Sequence, residues 1–137
     1  MNKRGWIIPI AIVIVNALAI AVRWSCLSEV LPAHFDLEGN SSGTMSRYAL
    51  LLYPLTGAAI CLAIYMIARI KEALETGLVI LSSGFCLILL LSTLVSLTQG
   101  KLPVFMLAEP VILLFTIIAF IISIIRTRKA KINTTGK

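Results

Sequence analysis

The sequence predicts an all-α integral membrane protein, a bundle of four transmembrane helices. Hydrophobic residues make up 59% of the chain and charged residues 13%, whereas soluble domains carry about 45–50% and about 25%. The apolar residues form four runs of about 17 to 24 residues, the length that a helix needs to cross a bilayer. No run alternates with period two, and backbone groups in lipid must be paired internally, so we expect helices rather than a barrel.

The four spans are predicted at residues 6–22, 48–68, 77–97 and 102–125, within a single membrane domain of residues 1–137. The first run follows Lys3 and Arg4, as a signal peptide would. It is long for the apolar part of a signal peptide, and no cleavage site is clear after it, so we interpret it as a retained span.

The distribution of positive charge predicts the orientation. Of the twelve Lys and Arg residues, only Arg23, Arg47 and Lys101 fall on the side away from the termini. The positive-inside rule therefore predicts that both termini are cytoplasmic, with residues 126–137 as a basic cytoplasmic tail. Because this rule accounts for the net charge of +6, the charge gives no reason to expect a nucleic-acid partner.

The segment between the first two spans, residues 23–47, is the longest connection and lies on the predicted outer side. Long loops are often functional. Pro32 favours an extended backbone before it, and residues 39–43 form a Gly/Asn/Ser turn cluster. We expect a structured outer loop that caps the bundle.

The stretch LPAHFDLEGNSSGTMSR in this loop resembles the signature of a bacterial membrane family of unknown function. Domains of that family form the N-terminal part of SdpI-type peptide-toxin immunity proteins. Eight positions share the family's residue types and spacing, namely Leu31, Pro32, His34, Phe35, Gly39, Gly43, Ser46 and Arg47. The chain departs from the family at position 36, where the family often has Asn, and at positions 41 and 42, where it often has Pro-Asp. The resemblance implies a multi-span protein of the bacterial inner membrane. Some relatives confer immunity to a secreted toxic peptide and some act in signalling, and full SdpI-type proteins are longer.

Glu109 is the acidic residue that the sequence places inside a span, beside Pro110. A carboxylate in a membrane is costly unless it is paired, protonated or hydrated, and such residues are often functional. Other polar residues fall at a similar depth and could complete an outward-facing pocket, namely Asn16, Tyr53, Thr56, Ser92, Thr93 and Ser96. Two alternatives remain open: Glu109 bonds Ser or Thr hydroxyls between helices, or it reaches the membrane interface.

His34, Asp36 and Glu38 alternate along the loop and would share one face of an extended segment. Imidazole and carboxylate are ligand types for zinc. This spacing is not an established ligand pattern, so a solvated acidic loop is the favoured interpretation. We expect His34 to make a hydrogen bond that fixes the loop and Phe35 to pack into the bundle, and a pH switch at His34 is a further alternative.

Small residues within the spans have a packing interpretation. Gly57 and Gly84 lie in clusters that permit close approach of helices. Cys61 and Cys86, each inside a span, are interpreted as small apolar packing residues.

The sequence therefore predicts a non-enzymatic envelope protein without a cofactor. It would recognise an extracellular peptide or hydrophobic ligand through the loop and a Glu109 pocket. We expect the protein to contact the lipid bilayer, and a homo-oligomer is an open alternative. The runner-up is a small transporter or ion-binding subunit with Glu109 as the proton or cation carrier. A weaker alternative is a signalling subunit that acts through the basic tail.

Overall fold

The computed structural model describes residues 3–35, 40–99 and 104–135 of the chain. Within these residues, four helices are long and apolar enough to cross a membrane, which confirms the predicted four-helix membrane bundle. The helices are α1 (Ile7–Arg23), α2 (Leu52–Ile70), α3 (Glu75–Leu97) and α4 (Val104–Thr135). Large aliphatic side chains on α1, α2 and α4 are exposed on the protein surface, as expected for helices that contact lipid.

Local sequence explains most of the helix boundaries. Pro9 and Pro54 both lie in the first turn of their helices, where the missing backbone N–H costs no hydrogen bond. A short 3-10 segment, Arg47–Leu51, leads into α2. α4 is 32 residues long and includes Pro110. It continues through the predicted basic tail to Thr135, since Lys, Arg and Ala are good helix formers.

α3 is the central helix of the bundle, because α1, α2 and α4 all pack on it. α1 and α2 also contact each other, whereas α3 is the main neighbour of α4. The chain therefore forms a three-helix unit with α4 attached to the opposite side of α3.

The loop between α1 and α2 forms an antiparallel β-hairpin. Its strands are β1 (Val30–Phe35) and β2 (Ser41–Ser46), paired from Val30 opposite Ser46 to Phe35 opposite Ser41. The Arg47 amide donates to the Glu29 carbonyl at 3.0 Å and closes the base of the hairpin. The sequence predicted one extended segment and then a turn at residues 39–43. The turn prediction is wrong for Ser41, Ser42 and Gly43, because these residues begin β2, which pairs with β1.

An apolar cluster fixes the hairpin to one end of the bundle, which we call the hairpin end. Leu31 of β1 and Leu50 before α2 are both 0% exposed, and they pack with Ile20, Leu27 and Leu97. These side chains come from α1, the segment that follows it, the hairpin, the segment before α2, and α3. The hairpin is therefore part of the folded core rather than a loosely attached loop.

A second cluster lies at the opposite end, which we call the terminal end. Trp6, Ala68 and Leu78 are buried there. The Trp6 ring meets Tyr65 edge-on with a centroid distance of 5.1 Å, and its Nε1 donates to Glu75 Oε1 at 3.3 Å. The two clusters stabilise the packing of α1, α2 and α3 at both ends.

Candidate functional site

Glu109 contacts α3 through one of the residues that the sequence singled out. The Ser92 hydroxyl donates to Glu109 Oε1 at 2.8 Å, and both side chains are half-buried. Ser96 is buried one turn further along α3, and its hydroxyl donates to the Ser92 carbonyl at 3.0 Å. The geometry gives Glu109 a hydrogen bond between helices, the arrangement that membrane proteins use to join spans.

The Ser92–Glu109 pair belongs to a longer α3–α4 contact, which we call the seam. α4 contributes Glu109, Thr116 and Ser123 at seven-residue intervals. A Cβ added at Gly84 would collide with Thr116, and one added at Gly77 would lie 3.2 Å from the Ser123 hydroxyl. A seven-residue repeat keeps two helices in contact over their length. Glu109 and Ser92 were predicted as site residues from the sequence, whereas the repeat was not, although its seven-residue spacing is visible there.

The other residues of the predicted pocket lie in different surroundings. Tyr53 is half-buried against the apolar cluster at the hairpin end, whereas Thr56 is exposed. Thr93 is fully buried, and its hydroxyl donates to the Leu89 carbonyl at 2.9 Å. Asn16 is 1% exposed, and its Oδ1 has no hydrogen-bond partner among the described residues. The structure thus brings Ser92 and Glu109 together but places Tyr53 and Thr56 elsewhere.

The two strands of the hairpin contain most of the residues of the family-like motif. Leu31 is buried in the core, Pro32 is half-buried, and Gly43 has a φ of 75°, which glycine adopts without strain. The backbones of His34 and Phe35 pair with Ser42 and Ser41. Asp36, Glu38 and Gly39 lie outside the described residues, and so does the metal hypothesis that combined His34 with Asp36 and Glu38.

Arg47 is held by aromatic rings at the base of the hairpin. Its guanidinium lies 5.3 Å from the ring centre of Trp24 and 5.5 Å from that of Tyr48, within the range of cation–π attraction. The Ser46 hydroxyl accepts from the Tyr48 amide at 3.4 Å. The last two residues of the motif therefore connect the hairpin to the end of α1 and the start of α2.

A shallow groove of about 400 Å³, which we call the hairpin groove, lies on the same hairpin. Glu29, Val30, Thr44, Met45, Ser46 and Tyr48 line it. Val30 and Tyr48 are both exposed hydrophobic residues beside a carboxylate and hydroxyls. The groove therefore offers apolar and polar contacts side by side.

Cys61 and Cys86 meet in the middle of the bundle. Their sulfur atoms are 3.3 Å apart, both residues are buried, and both are free thiols. The Ser82 hydroxyl donates to the Cys61 sulfur at 3.4 Å. The pair lies between α2 and α3, where it fills the space as packing residues do.

Sequence comparison identifies one family over part of the chain. Residues 11–58 match the model of a family described as "Domain of unknown function (DUF1648)". This range covers most of α1, the hairpin and the start of α2. No curated protein and no solved structure matches the sequence. The chain is thus a membrane-spanning helical protein in which residues 11–58 are similar to the DUF1648 family.

Proposed function

We propose that this protein is a non-enzymatic protein of the bacterial inner membrane that recognises a peptide or hydrophobic ligand from outside, on the basis of its resemblance to the family found at the N-terminus of SdpI-type immunity proteins. The orientation expected from the positive-inside rule would place both termini in the cytoplasm and the hairpin outside. The observation that supports recognition is the hairpin groove, presented on a hairpin whose Leu31 is 0% exposed.

The supporting argument is one of preorganisation. A binding surface that is already ordered loses less conformational entropy when a ligand arrives. The buried Leu31, the Glu29–Arg47 backbone bond and the aromatic contacts of Arg47 all fix the base of the hairpin. The exposed Val30 and Tyr48 side chains could then contact an apolar part of the ligand, and backbone groups at the strand edges could pair with an extended peptide.

The test is survival of bacteria that produce the chain when they are challenged with purified hydrophobic antimicrobial peptides. Thr44→Trp should fill the hairpin groove and reduce protection, whereas Ser42→Trp, at an exposed position of the same strand outside the groove, should not. Western blotting of membranes would verify equal production. The proposal is contradicted if Thr44→Trp, His34→Ala and Glu109→Gln all leave protection unchanged.

A second candidate function is transport, and the half-buried carboxylate of Glu109 within a span favours it. Carboxylates within spans often belong to proton relays and ion pathways, so Glu109 could carry a proton or a cation. Proteoliposomes loaded with a pH-sensitive dye would then show flux that Glu109→Gln abolishes and Glu29→Gln, a carboxylate outside the spans, leaves intact. The binding protein proposed above would show no flux in either form.

A further inference from the structure

A groove of about 500 Å³ runs between α1 and α3 at the hairpin end, and we call it the α1–α3 groove. Its apolar wall comes from Val15, Leu18 and Val22 on one helix and from Leu94 and Leu97 on the other. From Val15 to Val22 the wall is about 10 Å long by helical rise. A groove of this shape and polarity on a membrane-spanning bundle suits a hydrocarbon chain.

The same groove ends at polar groups. Arg23, the last residue of α1, and Thr98, the residue after α3, complete its lining. Arg23 is exposed, and a guanidinium binds phosphate oxygens through two parallel hydrogen bonds. Trp24 and Tyr48 lie in contact with each other nearby, and such aromatic residues concentrate at the level of lipid headgroups. The cation therefore lies where a headgroup would be.

We propose that the α1–α3 groove binds one acyl chain of an anionic phospholipid from the bilayer, with the lipid phosphate held by Arg23. The groove provides an apolar wall for the chain and a cation at its end for the phosphate. The site is independent of the hairpin groove and of the function proposed above.

A second apolar groove provides an internal comparison. It lies between α1 and α2, has a volume of about 460 Å³, and is lined by Trp6, Tyr65 and apolar residues. Its lining contains no charged side chain among the described residues. A lipid in that groove would not be selected by its headgroup charge, so any preference for anionic lipid should depend on Arg23.

The test is native mass spectrometry of the purified full chain with phosphatidylglycerol and with phosphatidylcholine of the same acyl composition. We expect phosphatidylglycerol to bind about fivefold more tightly, because the choline cation of phosphatidylcholine offsets the charge of the phosphate that Arg23 would bind, whereas phosphatidylglycerol keeps a net negative charge. Arg23→Gln should remove this preference. Arg69→Gln removes the same charge at the terminal end of α2 and should keep it. Equal affinity for both lipids, or equal loss in both variants, would overturn the proposal.

The acyl-chain part of the proposal has its own variants. Ala19 lines the groove, whereas Ala21 is exposed on the same helix outside it. Ala19→Leu should lower the retained phosphatidylglycerol several-fold, and Ala21→Leu should not. Because Ala19 also packs against the cluster at the hairpin end, the wild-type chain is tested in parallel with a phosphatidylglycerol that carries a photoreactive acyl chain. Labelling concentrated in residues 15–22 and 94–98 supports the site, and labelling spread over the exposed faces of α2 and α4 contradicts it.

Discussion

The approach of α3 to α4 depends on the absence of a side chain at Gly84, so Gly84→Ala should destabilise the bundle. A Cβ at this position would lie 2.7 Å from the Thr116 Cβ and closer still to its hydroxyl and methyl groups. Thr116 cannot rotate away easily, because its side chain is β-branched and its hydroxyl donates to the Ile112 carbonyl at 2.7 Å. Carbon atoms in contact prefer about 3.5–4.0 Å, so the helices must separate by about 1 Å.

The magnitude follows from two opposing effects. Overpacking costs typically about 1–3 kcal/mol, and a separation of this size would also stretch the Ser92–Glu109 hydrogen bond in the same seam. Alanine is a better helix former than glycine by up to about 1 kcal/mol. We expect a net loss of about 1–2 kcal/mol in the free energy of unfolding, with the overpacking term the larger one.

The assay is unfolding in mixed micelles with increasing dodecyl sulfate, followed by circular dichroism. Gly5→Ala is the matched control, because a Cβ there would lie 3.6 Å from Val79, an ordinary contact. Gly57→Ala, with Val13 at 3.1 Å, should be intermediate. In a Thr116→Ala background the penalty of Gly84→Ala should shrink. If Gly84→Ala is as stable as the parent chain, the close contact between α3 and α4 at this point is refuted.

Three further predictions concern contacts elsewhere in the bundle. Mild oxidation should link Cys61 to Cys86 within one chain, since their sulfur atoms are 3.3 Å apart. Mass spectrometry of proteolytic peptides would detect the disulfide, and its absence would argue against this alignment of α2 with α3. Ser92→Ala should lower the free energy of unfolding by about 0.6–2 kcal/mol, the range for hydrogen bonds between membrane helices. The same micelle titration measures this loss, and an unchanged unfolding midpoint would exclude a stabilising bond from Ser92 to Glu109. Leu31→Ala should cost about 2–5 kcal/mol and increase proteolysis of the hairpin, whereas Val30→Ala, at an exposed neighbouring position, should do neither.

The sequence predicts the spans well because a span is recognised from the high hydrophobic content of about 20 consecutive residues. It predicts the facing sides of the helices poorly, since spans that are apolar all round carry little information on which side is buried. Gly84 was interpreted as a site of close approach, but only the structure identifies Thr116 as its neighbour. The partner of Glu109 was open among several hydroxyls, and only the structure identifies Ser92, which lies one residue beyond the seven-residue spacing of Gly77 and Gly84.

The hairpin shows a different limit. The loop contains few of the β-branched and aromatic residues that favour strands, so its sequence predicted only an extended stretch and a turn. The strands form because Leu31 and Met45, which lie opposite each other, both pack against the end of the bundle. The surface that these side chains cover is formed by residues of the helices and of the segments beside them. Tertiary context therefore determines the hairpin, and the sequence pattern alone does not.

Recognition of an external ligand by the hairpin requires the hairpin to lie outside the cell, and Cys26 tests this orientation directly. This native thiol is exposed near the hairpin end, whereas Cys61 and Cys86 are buried. A membrane-impermeant maleimide added to intact cells should label Cys26. In a second chain that combines Cys26→Ser with Lys129→Cys, the maleimide should label the new thiol only after the cells are lysed. Labelling of Lys129→Cys in intact cells, with Cys26 protected until lysis, would contradict the proposed orientation and with it the recognition of an external ligand by the hairpin.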